Sequence, residues 1–337
     1  MRRTIIALLA LPALALSACT TEGNDDTGDD GGTGEGATEE ADSTAGGTET
    51  GDLTIAMVTH GDGGSFWSVA KRGAEDAASD LGVTLNYQES NNDPQQQAQL
   101  IETAVSQGVD GLAVSAPNPD AIASAVASAV DAGIPVITLN SGVDVFQDFG
   151  AITHVGQTER IAGEGAGERL AGEASGKLLC VVHEQANIGL QERCEGAAEG
   201  YGGEVENFQV TGTGDISTTL SELQVKLESD SSVGAVLSLN PDIAVAARDA
   251  ISSAGVDVVL ATFDLSGDVV SAIQADEISF AVDQQQYLQG YLPVVFLTLY
   301  NTNANTVGGG LPVLTGPGFV DASNAADIAD LASAGTR

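Results

Sequence analysis

Two adjacent aromatic residues, Phe66 and Trp67, stand just beyond a glycine turn carrying His60 and Asp62, in the stretch THGDGGSFWSV. Trp67 is the only tryptophan in the chain. The turn follows an apolar run, LTIAMV, and leads into a helical pattern, AKRGAEDAASDL. Glycine turns between strand and helix ordinarily suit anions, because free N–H groups and the helix dipole face the ligand. Here the Asp62 carboxylate would repel an anion, and the GDGG turn has no lysine to reach a phosphate. Carboxylates beside aromatic faces suit a polyhydroxylated ring: the rings cover its apolar C–H face while polar groups take its hydroxyls.

The same chemistry recurs after the other apolar runs. Asn118 follows AVSAP, Asn140 and Ser141 follow PVITL, and Glu184, Asn187 and Gln191 follow LLCVVH. Asn240 follows AVLSL, Asp264 follows VLATF, and Gln284 to Gln286 follow FAVD. Amides and carboxylates donate and accept in the pattern that neighbouring hydroxyls require. Each residue alone is equally well a turn former or a helix N-cap. Six or seven strand ends sharing one chemistry point instead to a binding cleft.

Enzymatic readings find less support. His60, His154 and His183 have no metal-ligand spacing, and no G-x-S-x-G elbow is present. Neither a metal, a cofactor nor catalysis is expected. A glycosidase built on Asp62 and Asp264 is the enzymatic alternative.

Positioning these residues requires an alternating scaffold. Short apolar runs at 53–59, 83–88, 111–116, 134–140, 177–183, 204–210, 232–239, 256–263 and 279–283 read as strands. Several are apolar on both faces, as in parallel sheets covered by helices. Helical patterns lie between them, at Pro94–Gln107, Asp120–Ala132, Arg160–Ala174, Ile216–Glu228 and Pro241–Ala254. Proline opens two of these, where it is tolerated, and glycine follows several of their ends. This is an α/β chain with right-handed crossovers. The count fits one large sheet, a barrel or two smaller sheets. The interruption GVDVFQDFGAITHVGQTE at mid-chain favours two, and ligands in open parallel sheets bind beyond the strands' carboxyl ends.

The ends and the overall charge bound the setting. MRR, the apolar stretch TIIALLALPALAL and LSAC read as a signal peptide over 1–18, too short for an ordinary membrane span. Residues 19–52 are Gly, Thr, Glu, Asp and Ala with hardly an apolar side chain, which reads as an acidic disordered tether. A formal net charge of −37 argues against nucleic acid or an anionic membrane as partner. Cys180 in a strand-like run and Cys194 in the helix after it can pair as a disulfide or remain two buried thiols.

FWSVAKRGAEDAASDLGV, DGLAVSAPNPDAI, AGIPVITLNSG, VGQTERIAGEGAGERLA, TFDLSGDVVSAI and FAVDQQQYLQGY resemble segments of the ribose- and galactose-type binding proteins of ABC importers. The resemblance runs in order from about residue 53 to the C-terminus. LSAC likewise resembles a lipoprotein box, implying lipidation at Cys19. The resemblance implies the type I periplasmic-binding-protein fold: two Rossmann-like lobes with parallel sheets joined by a three-crossing hinge. It places the N-terminal lobe at 53–154 plus 285–312 and the C-terminal lobe at 155–284 plus 313–337. It implies ligand roles for Phe66 and Trp67 as an aromatic sandwich and for Asn240, Asp264 and Gln284 as polar ligands. Asn140 and Ser141 stand where ribose-binding members carry Asp-Arg, and Gln191 where they carry a second arginine, so neither guanidinium fork is expected. The chain is then an extracytoplasmic, lipid-anchored monomer that captures a neutral pentose, hexose, polyol or cyclitol for an ABC permease. A sugar or signal-molecule sensor for a chemoreceptor or histidine kinase, and a nucleoside-binding lipoprotein, are the alternatives.

Overall fold

The computed structural model describes residues 50–337, so the readings of a signal peptide, of lipidation at Cys19 and of most of the tether lie outside the described residues. After a short turn at Thr50–Asp52, strands and helices alternate. The order opens with β1 (Thr54–Thr59), α1 (Ser65–Leu81), β2 (Thr84–Glu89), α2 (Pro94–Gln107), β3 (Gly111–Ser115), α3 (Pro119–Asp131), β4 (Val136–Asn140) and β5 (His154–Gly156). It continues with α4 (Glu159–Glu173), β6 (Lys177–Val182), α5 (Ile188–Tyr201), β7 (Val205–Gln209), α6 (Ile216–Ser229), β8 (Val233–Ser238) and α7 (Pro241–Ala254). The last part holds β9 (Val259–Phe263), α8 (Gly267–Gln274), β10 (Phe280–Asp283), α9 (Gln286–Asn303), β11 (Val313–Leu314), β12 (Gly318–Asp321) and α10 (Ala325–Ser333).

The strands form two six-stranded sheets, in the orders β11-β5-β4-β3-β1-β2 and β12-β10-β9-β8-β6-β7. Every pairing is parallel except the one between β10 and β12. Alternation along each strand feeds a core on either face. Ile55 and Met57 pack with Phe66 and Trp67, while Ala56 and Val58 pack with Ile101 and Ile122. Leu179 and Val181 likewise face one way, and Leu178, Cys180 and Val182 the other. This two-sided burial explains why the strands read as continuous apolar runs.

Helix starts follow local chemistry. The Asp93 carboxylate accepts from the Gln95 and Gln96 amides ahead of α2, and the Asn240 side chain accepts from Asp242 and Ile243 ahead of α7. In both helices proline fills the first position, whose N–H has no intrahelical partner. Helices α4 and α5 pack backbone to backbone. A Cβ on Gly163 would stand 2.1 Å from the Arg193 carbonyl oxygen, and one on Gly196 would stand 2.0 Å from that of Arg160. The close approach brings Arg193 of α5 against Glu159 of α4. A bond between Cys180 and Cys194 also clips β6 to α5, with Cα atoms 5.8 Å apart. Closing a loop of this length contributes about 3 kcal/mol.

The chain passes between the sheets three times: after β5, after β10 and between β11 and β12. Sheet membership therefore changes after Gly156 and after Leu314, two residues beyond the limits expected from the sequence. The short strands β5, β11 and β12 cluster at these passages. His154 is a core residue there: it is fully buried, its Nδ1 lies 2.9 Å from Thr138 Oγ1, and burial pushes its pKa down to about 3.

Candidate functional site

An inner cavity of about 30 Å³ lies between the carboxyl ends of the two sheets. The first sheet contributes His60, Asp62, Phe66, Trp67 and Asn140. The second contributes His183, Glu184, Asn187, Leu190, Arg193, Leu239, Asn240 and Asp264, and Gln284 enters from the second passage between the sheets.

Two residues in matching places of the two sheets set the polar geometry. Asn140 ends β4 and Asp264 follows β9, and both have left-handed backbone, with φ of 58° and 70°. Asn and Asp tolerate that region better than other side-chain-bearing residues. Backbone held this way tends to occur at functional sites. Asp264 Oδ1 accepts from Gln284 Nε2 at 2.7 Å, and Gln284 Oε1 accepts from Gln289 Nε2 at 2.9 Å. The Asn140 amide donates to Gln289 Oε1 at 3.3 Å. Asp264 is nearly fully buried. Burial pushes its carboxyl up to about 7, against the pull of Arg193 and the Gln284 hydrogen bond. Ligand hydroxyls donating to Asp264 would supply what water supplies elsewhere.

The apolar part of the wall comes from the first turn of α1. Phe66 and Trp67 pack edge to face with centroids 4.9 Å apart, and His60 meets the Trp67 ring at 4.8 Å, also edge-on. Both aromatic residues are about 5% exposed and belong to the core of the first sheet as well as to the cavity wall. They serve both places at once.

A third group closes the cavity. His60 Nδ1 lies 2.7 Å from Ser115 Oγ, and its Nε2 is 3.6 Å from Glu184 Oε2. Asn187 caps α5 with Oδ1 and donates Nδ2 to Glu184 Oε2 at 2.7 Å. Burial pushes the Glu184 carboxyl up, but His60, His183 and the Asn187 and Asn92 amides outweigh it and hold the carboxyl below its ordinary range. Asp62 accepts from the Gly64 amide at 3.0 Å and from the Thr213 hydroxyl across the cleft.

Ten of the residues singled out in the sequence meet here; Asn118, Ser141, Gln191, Gln285 and Gln286 do not line this cavity. Asn118 faces a neighbouring compartment, and Ser141 lines a smaller recess with Glu159 and Glu192. Gln191 is exposed, its amide donating to the Gln185 carbonyl at 3.2 Å. A guanidinium is nevertheless present. Two positions on, Arg193 is 5% exposed and lines the cavity. Its Nε and Nη2 are engaged by Glu159, at 2.6 and 3.1 Å, and its plane covers Phe263 at 4.6 Å. The resemblance, which sets Gln191 against the family's arginine, implies no guanidinium here, and Arg193 corrects that expectation. His183 was also missed, and the histidine after β6 was the available signal. Among the described residues, no cluster of side chains suits a metal ion, and no helix is long and apolar enough to cross a membrane.

This arrangement can hold a small neutral molecule rich in hydroxyls. It shows no nucleophile–base pair aimed at a common point. The periplasmic binding protein domain family matches residues 55–301. The chain is 40% identical to a carbohydrate transporter protein of Acidothermus cellulolyticus whose structure was determined in complex with myo-inositol. That likeness covers 85% of this chain and 99% of the other, with a TM-score of 0.82. It is 27% identical to the ribose import binding protein of Haemophilus influenzae, over 72% of this chain and 83% of that protein. The xylose/arabinose-binding protein of Sulfolobus acidocaldarius is 25% identical, over 80% of this chain and 71% of that protein. The chain belongs to the periplasmic binding protein family of non-enzymatic solute-binding proteins, with the type I fold of the sugar-binding proteins that serve ABC importers.

Proposed function

We propose that this chain captures a neutral cyclic polyol of the myo-inositol class outside the cytoplasm and delivers it to an ABC permease. The observation that carries the reading is the composition of the inner cavity. Asn140, Asn187, Asn240, Asp264 and Gln284 converge on one small space, beside Phe66 and Trp67. The one arginine in the wall is already neutralised by Glu159. An anionic ligand would find no free cation there, whereas ring hydroxyls would find both donors and acceptors. The 40% identical relative bound to myo-inositol supports the same ligand class.

In this reading Asp264, Asn240 and Asn187 come from the second sheet, and Asn140, His60 and Asp62 from the first. A ring lying between them ties the two lobes together, and closure about the three passages desolvates it. Isothermal titration with myo-inositol, pentoses, hexoses and linear polyols tests this. Myo-inositol should give the tightest binding, and no heat from myo-inositol would refute the reading.

LSAC at residues 16–19 supports a lipid anchor on Cys19, which would keep the receptor close to its permease. Expression of Cys19→Ala is expected to move the protein from the membrane fraction to the medium or periplasm. Unchanged membrane association would remove the anchor from the account.

A further inference from the structure

The space between the lobes does not end at the inner cavity. Beyond His60, His183, Glu184 and Asn187 lies an outer compartment of about 340 Å³. Those four side chains line both spaces, so they form the partition between them. The rest of the outer wall comes from segments after β2, β3, β6 and β7, on the side of the sheets away from the three passages.

The chemistry of this compartment is polar, with Asp93 and Glu184 as its only acidic side chains. Asn92, Gln97, Asn118, Thr211 and Thr213 line it, and no lysine or arginine does. The carboxylate of Asp93 is committed to capping α2. Two polar atoms in the wall are buried without a hydrogen-bond partner: the hydroxyl of Ser90, a residue with no exposed surface, and Nδ1 of His183, whose side chain is 5% exposed. Buried polar groups in proteins are almost always paired, and an unpaired one asks for a partner. Two such atoms on residues of one compartment's wall would gain partners if the wall opened around hydroxyl groups of a ligand. Without a cation the compartment disfavours a phosphate or a carboxylate, and Glu184 in the partition would repel either.

We infer that the cleft takes a two-part neutral ligand: a polyol ring in the inner cavity bearing a glycosyl substituent in the outer compartment. The inference rests on the inner cavity being a polyol site. The linking oxygen would lie beside Glu184, within the partition formed by His60, His183, Glu184 and Asn187. Ser90 and His183 would then meet hydroxyls of the outer sugar.

The test is calorimetry on the whole protein with myo-inositol and with galactosyl-myo-inositol. The glycoside should bind at least tenfold more tightly. Ala186 is exposed and lines only the outer compartment. Ala186→Trp should therefore abolish the advantage of the glycoside while leaving myo-inositol affinity within about twofold. Ser90→Ala should weaken the glycoside alone. Myo-inositol binding with no gain from the glycoside overturns the outer subsite and leaves the inner reading standing. So does a gain that survives Ala186→Trp. If myo-inositol itself gives no heat, the inner reading falls and the two-part ligand falls with it.

Discussion

Asp264→Asn is expected to cost at least a hundredfold in affinity for the polyol and, above neutral pH, to make the unliganded protein more stable. The two effects have one cause. Asp264 is buried in a cavity wall, and burial pushes its carboxyl up to about 7 from an ordinary value near 3.8. Between those values the folded protein holds a proton that the unfolded chain has released. Stability therefore falls as pH rises from about 4 through 7, and the penalty is fully present above that. At about 1.4 kcal/mol per pH unit the upper bound is roughly 4 kcal/mol. An asparagine carries no charge to desolvate, and its oxygen can still accept from Gln284. Melting temperatures of the two proteins should converge near pH 4 and separate by several degrees at pH 8, with the variant higher. Ligand hydroxyls, however, gain charge-assisted hydrogen bonds only from the carboxylate. Losing two at about 1.5–3 kcal/mol each gives the affinity loss. Equal melting curves at pH 8 would mean that the carboxylate is solvated in the free protein.

Arg193→Met is expected to be the most destabilising single change near the cavity. It strands the Glu159 carboxylate, 2% exposed, with Gln157 Nε2 at 2.9 Å as its remaining side-chain donor. Breaking a buried pair by removing one partner costs about 3–5 kcal/mol. That corresponds to a fall in Tm on the order of 10 °C for a protein of this size. Replacing both members, as Arg193→Met with Glu159→Leu, should recover most of the loss, because no charge is left unpaired. Urea unfolding of the two single variants and the double variant measures the coupling. An additive cycle would show that the ion pair contributes nothing beyond its separate members.

Much of the architecture is visible in the sequence because two-sided burial leaves a strong trace. Runs such as LTIAMVT and KLLCVVH become β1 and β6, and Pro94 and Pro241 open α2 and α7 where expected. The strands β5, β11 and β12 leave no such trace. They span two to four residues, and their pairing is decided by where the chain passes between sheets. The site was legible in proportion to backbone geometry. Residues that directly end a strand, such as Asn140 and Asp264, reach the cavity. Ser141 does not, because the left-handed turn at Asn140 redirects the chain. On a helix, two positions turn the side chain by roughly 200°. Gln191 therefore faces away from the cavity while Arg193 faces it. The partnership of Arg193 with Glu159 depends on the close packing of α4 and α5, which no local pattern announces.

The chain of hydrogen bonds from Asp264 through Gln284 to Gln289 and Thr315 has a mechanical consequence. Gln284 and Thr315 lie on the second and third passages, beside the fulcrum about which the lobes would turn. A ligand gripped by Asp264 thus acts on a very short lever arm. Any small rotation fixed there would be larger farther out in the cleft, where the Ile188 amide meets the Pro117 carbonyl at 3.1 Å. That contact, two strands from β5 in one sheet and three from β10 in the other, would report whether the inner cavity is filled.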